Sequence, residues 1–83
     1  MGLLTEELKI ELEKLVEYLE AQDEAHWVKW MNEARREINN SDFHGIEKIL
    51  SAYGGMGSIN DITDSKGLVR RVYKLADTIK NAQ

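Results

Sequence analysis

The sequence predicts an all-α domain, a compact bundle of four to five helices with a glycine-rich loop between two of them. Three observations carry this. Every strong apolar pattern recurs at intervals of three and four residues, the chain contains no proline, and no run of alternating apolar and polar residues competes as a strand. A hydrophobic share of 42% beside 31% charged residues belongs to chains that collapse around a core. At 83 residues the chain reads as one helical domain, residues 1–83, burying about 60 to 65% of its unfolded surface.

The first helix is announced by Leu8, Leu12, Leu15 and Leu19, with Leu4 before them and Val16 beside them. Thr5 is a suitable N-cap, and Glu6 and Glu7 follow where the helix dipole favours acids, so the helix is expected from Glu6 to about Glu20. The run Ala21-Gln22-Asp23 reads as a break in which Asp23 caps the next helix, or else the two segments continue as one. Trp27, Trp30, Met31, Ala34 and Ile38 form the second stripe, with Lys29, Glu33, Arg36 and Glu37 largely opposite. A small domain needs its largest side chains inside, so at least one of the two tryptophans is expected to be buried. The other, with its indole N–H reaching solvent, is an interface candidate, and Trp30 is taken in that role.

Asn39 to Asp42 ends this helix, and Ser41 or Asp42 caps a short third one with Phe43, Ile46, Ile49, Leu50 and Tyr53 inward and Glu47 and Lys48 outward. Gly54-Gly55 stops it. The run Ser58-Ile59-Asn60-Asp61 is a variant capping box and predicts one further helical turn, the fifth element. Asp64 or Ser65 then caps the last helix, whose stripe is Leu68, Val69, Val72, Tyr73, Ala76 and Ile79.

Charge is distributed unevenly. Residues 1–24 hold eight acids and two bases, whereas residues 63–83 hold two acids and five bases, within a net charge of −4. The expected consequence is that the first and last helices lie side by side with their flanking charges paired. Lys66, Arg70 and Lys74 fall at successive fourth positions, with Arg71 alongside. Nucleic-acid binding through this last helix is one reading of that stripe, but the net negative charge and the lack of a helix-turn-helix or zinc signature favour a solvated helix face or complementarity to the acidic first helix. The leucine stripe of the first helix either packs on the last helix or, if an 83-residue domain leaves it uncovered, forms a homodimer seam through Leu8, Leu12, Leu15 and Leu19.

The absence of cysteine rules out disulfides and thiolate metal sites and fits the cytoplasm. The N-terminal run Met-Gly-Leu-Leu-Thr-Glu-Glu lacks a basic leader region, and no apolar run approaches the roughly 18 residues of a membrane span. His26 and His44 stand in no known metal-ligand spacing, so no metal is expected. Ser58, Asp61 and His44 match no nucleophile and base motif, so no catalytic residue and no cofactor is assigned and the chain is read as a non-enzyme.

The densest signal is Tyr53 to Asp61, where Gly54, Gly55 and Gly57 place three of the six glycines within four positions. Such a cluster marks positive φ, a tight turn or a close approach. Backbone N–H groups leading into a helix at Ser58 suit an anion, so small-ligand or anion binding at the Gly54 to Asp61 loop is a second reading. A phosphate loop, however, needs a Lys-Ser or Lys-Thr after its last glycine, and none follows. The expected function is a protein–protein interaction module of adaptor or inhibitor type. Met56, Asn60, Asp61 and Trp30 are its contacts; Gly54, Gly55, Gly57 and Ser58 shape the loop.

His26-Trp27, Trp30, Gly45-Ile46 and the run from Ile49 through Gly54-Gly55-Met56-Gly57-Ser58-Ile59-Asn60-Asp61 to Ile62 together resemble a family of small uncharacterised bacterial proteins. That family is marked by a Gly-Gly-Met-Gly-Ser-(aliphatic)-Asn-Asp segment. The resemblance spans roughly residues 26 to 76 and implies a bacterial origin and a helical domain, with no activity or site residue attached.

Overall fold

A computed structural model describes residues 3–53, 59 and 66–82. Four helices follow in order: α1 (Leu3–Ala21), α2 (Ala25–Asn39), α3 (His44–Ser51) and α4 (Leu68–Asn81). They close a ring, because α1 packs on α2 and α4 while α3 packs on the same two helices from the other side. No strand occurs among the described residues, and none of the helices there is long and apolar enough to cross a membrane.

Periodicity places the core. Leu8, Leu12, Leu15 and Leu19 are 0% exposed and meet Met31, Ala34 and Ile38 of α2 and Val69, Val72, Ala76 and Ile79 of α4 in one cluster. This burial overturns the homodimer seam expected through those four leucines: the two neighbouring helices already cover them, so they offer a second copy no surface. Phe43 and Tyr73, expected inside, are 37% and 41% exposed. Phe43 stands at the N-cap of α3, ahead of the buried Gly45, Ile46 and Ile49. Tyr73 lies about 100° round from Val72, at the edge of the buried stripe. Its ring rests on Tyr53 instead, with centroids 4.8 Å apart.

The helix ends depart most from expectation. Asp23 does not cap α2; it takes φ 58° as the left-handed residue that ends α1. Glu24 N–H donates to Leu19 O at 3.0 Å and Asp23 N–H to Glu20 O at 3.2 Å, the paired bonds of a Schellman motif. The end of α2 repeats this geometry, with Ser41 at φ 61°, Asp42 N–H on Glu37 O at 2.8 Å and Ser41 N–H on Ile38 O at 3.0 Å. Ser41 is therefore a helix terminator, and Asp42 is the residue that serves α3: its Oδ1 accepts His44 N–H at 3.0 Å. Thr5 lies inside α1, which begins at Leu3, because Leu3 and Leu4 are themselves good helix formers. Gly67, at φ 70°, precedes α4; the expected caps Asp64 and Ser65, and the fifth helical turn, lie outside the described residues.

One glycine inside a helix sets the spacing between α2 and α3. A Cβ on Gly45 would stand 2.7 Å from Ile38 Cγ1 and 2.8 Å from the Ala34 carbonyl oxygen, so only glycine lets α3 approach the α2 backbone this closely.

Candidate functional site

The glycine-rich run stands on a fixed base. Ala52, just past α3, is buried, as is Ile59 at 0% exposure. Ile59 N–H donates to Ala52 O at 3.0 Å, which draws the chain at residue 59 back to the end of α3. Tyr53, between them in sequence, reaches the other way: its hydroxyl donates to Val69 O at 2.8 Å and so ties the foot of the run to the first turn of α4. Met56, Asn60 and Asp61, together with Gly54, Gly55, Gly57 and Ser58, lie outside the described residues, and so does any meeting of Ser58 and Asp61 with His44.

Trp30 is the one candidate contact residue within the described part, and its surroundings differ from the expected picture. Its indole N–H does not reach solvent; it donates to Lys48 O at 2.9 Å. The last turn of α3 explains why that carbonyl accepts it. Ala52 N–H bonds Ile49 O at 3.0 Å and Tyr53 N–H bonds Leu50 O at 3.1 Å, a tightened end that turns the next donors away from Lys48 O. The Lys48 ammonium then folds over the Trp30 ring, 4.4 Å from its centroid, and pairs with Glu33 of α2 at 3.3 Å. Trp27 meets Trp30 edge-on at 5.6 Å, and the exposed His26 ring packs on Trp27 at 4.6 Å. Trp30 thus pins α2 to α3 by its polar edge, while part of its ring stays at the surface beside His26.

The last helix meets the acidic one as the charge pattern suggests. Arg71 of α4 lies 3.4 Å from both carboxylate oxygens of Glu11 on α1 and also donates to Lys66 O at 3.1 Å. An acid therefore stands within the basic stripe. Between the two helices runs an open groove of about 400 Å³ with Leu4, Ile10 and Leu75 among its lining residues and Glu7 and Lys74 on opposite sides.

Folding also brings together Glu37, Asp42 and His44, whose ligand atoms lie within 4.8 Å of one another. Sequence spacing does not reveal this trio, because it assembles only when Ser41 turns left-handed and returns the chain to α2. Asp42 Oδ1 already serves the α3 start and lies 2.9 Å from His44 Nδ1, so capping accounts for the geometry of that pair.

Fold and site thus define a small helical domain, with four helices among the described residues and the glycine-rich run falling in sequence between α3 and α4. The chain belongs to the family described as Domain of unknown function (DUF6966), which matches residues 20–67. No curated protein and no solved structure matches it. The matched stretch begins in the last turn of α1, contains α2, α3 and the whole glycine run, and ends at Gly67, the residue before α4.

Proposed function

We propose that this protein is a non-enzymatic protein–protein interaction module of adaptor or inhibitor type, its contact formed by Met56, Asn60 and Asp61 of the glycine-rich run together with the surface edge of Trp30. The observation that supports this reading is the base of the run. Ile59 is buried and bonded to Ala52, and Tyr53 is bonded to α4, so the residues flanking the glycine-rich stretch are tied to two helix ends, that of α3 and that of α4. Binding residues are commonly carried on loops held by such a scaffold. The cytoplasm, where cysteine-free chains are at no disadvantage, is the proposed compartment.

Capture from a lysate of the native host, identified by mass spectrometry, tests it when wild type is compared with Met56→Ala and Asn60→Ala. The expected result is loss of a specific protein partner from both variants with helicity and melting temperature nearly unchanged. Full retention of that partner by both variants overturns the contact assignment. Recovery of a small anionic ligand in its place, lost with the same substitutions, replaces this reading with the anion-binding one.

A further inference from the structure

We propose that the groove between α1 and α4 is closed by the same groove of a second copy of this chain. The surface lies outside the family-matched residues 20–67 and shares no residue with the glycine run.

The apolar part comes first. Leu3, Leu4 and Ile10 are 84%, 40% and 55% exposed, although the rest of α1 directs its leucines inward. Leu3 and Ile10 are one heptad apart and so share the outward face of the helix. Leu75, half-buried on α4, faces the same groove as Leu4 and Ile10. Exposed apolar side chains scattered singly need no explanation, but Leu4, Ile10 and Leu75 line one trough between two helices.

Charge selects the occupant. Glu11 pairs with Arg71, Leu4 shares the groove with Thr78, and Ala21 shares a hollow with Lys66, so α1 and α4 run antiparallel. Glu7 and Lys74 therefore face each other across the trough at about the same height. A two-fold axis parallel to the helices sets α1 of one copy beside α4 of the other. Every neighbouring pair is then antiparallel, as in an up-and-down four-helix bundle. Glu7 of each copy meets Lys74 of its partner, and the segment with eight acids and two bases lies along the one with two acids and five bases. An axis across the helices would lay acid on acid. A second copy thus brings both the apolar surface and the opposite charge that each edge lacks.

Sedimentation equilibrium of the full chain, from about 1 to 500 µM, reads the association directly. Wild type is expected to dimerise within that range, and Ile10→Glu to remain monomeric with nearly unchanged helicity, because Ile10 is 55% exposed and lies outside the buried cluster. Glu7→Lys alone and Lys74→Glu alone are each expected to weaken the dimer about tenfold, since two symmetry-related pairs turn repulsive. An equimolar mixture of those two variants restores complementary pairs and recovers about that factor. Three results overturn the proposal: a wild-type monomer throughout, an Ile10→Glu chain that associates as wild type does, or a mixture that associates no better than its components.

Discussion

The α2–α3 half and the α1–α4 half of the ring are held together by different physics. Between α2 and α3 the contacts are directional and short. Gly45 lies against the Ala34 carbonyl, the Trp30 indole bonds Lys48 O, and Lys48 returns to Glu33. Between α1 and α4 the work is done by a stripe of leucines against valine, alanine and isoleucine, with the Arg71–Glu11 pair at the surface. A contact of the first kind fixes distance and rotation together and leaves little room for change. A contact of the second kind fixes mainly area, so the outer edges of the two helices remain free to carry exposed apolar side chains. The difference separates a tightly specified half, which falls within the family match, from a half whose outward face is available for association.

Substitutions at α2–α3 sharpen that contrast. Gly45→Ala is expected to cost about 2 to 3 kcal/mol, because the new Cβ meets backbone as well as the Ile38 side chain and α3 must move bodily. Chemical denaturation measures it, and a loss below about 0.5 kcal/mol would show that α3 rides loosely on α2. Trp30→Phe keeps most of the ring but leaves Lys48 O without its indole donor; about 1 to 2 kcal/mol is the expected loss in the same assay. The smallest effect has the opposite sign. Ser41→Gly removes the strain of a left-handed residue bearing a Cβ and should stabilise the fold by about 0.5 to 1 kcal/mol. If Ser41→Gly destabilises instead, the reading of this turn as strained fails.

What could be read from the sequence follows from range. The four stripes were legible because each is a local pattern of period 3.6; α1, α2 and α4 contain the apolar sets that announced them, and α3 holds Ile46, Ile49 and Leu50 of its set while Phe43 and Tyr53 flank it. A break at Ala21-Gln22-Asp23 was one of two readings the sequence left open, and its chemistry was not legible. Asp23 and Ser41 are acceptable N-caps by type, and only the helix-end hydrogen bonds reveal them as left-handed terminators that most chains assign to glycine. Gly45 gave no warning, since a single glycine in a helix is tolerated and the meaning of this one depends on Ala34 and Ile38, seven or more residues away. The partner of the Trp30 N–H is 18 residues distant, beyond any periodic signal. Ile10 drew no notice in the sequence because it lies off the leucine stripe; its significance came only when α4 supplied Leu75 and Lys74 opposite. The glycine run was the densest signal in the chain, and what the described residues add is its footing on Ala52, Ile59 and Tyr53.

The division between a specified half and an associating half is tested most directly by one measurement, the thermal midpoint as a function of protein concentration for wild type, Trp30→Phe and Ile10→Glu. Association coupled to folding raises the midpoint with concentration. Wild type should gain about 5 °C or more over a hundredfold increase. Trp30→Phe should start lower and rise in parallel, and Ile10→Glu should match wild type when dilute and then stay flat. A flat wild-type curve, or an Ile10→Glu curve that rises with it, would contradict the account.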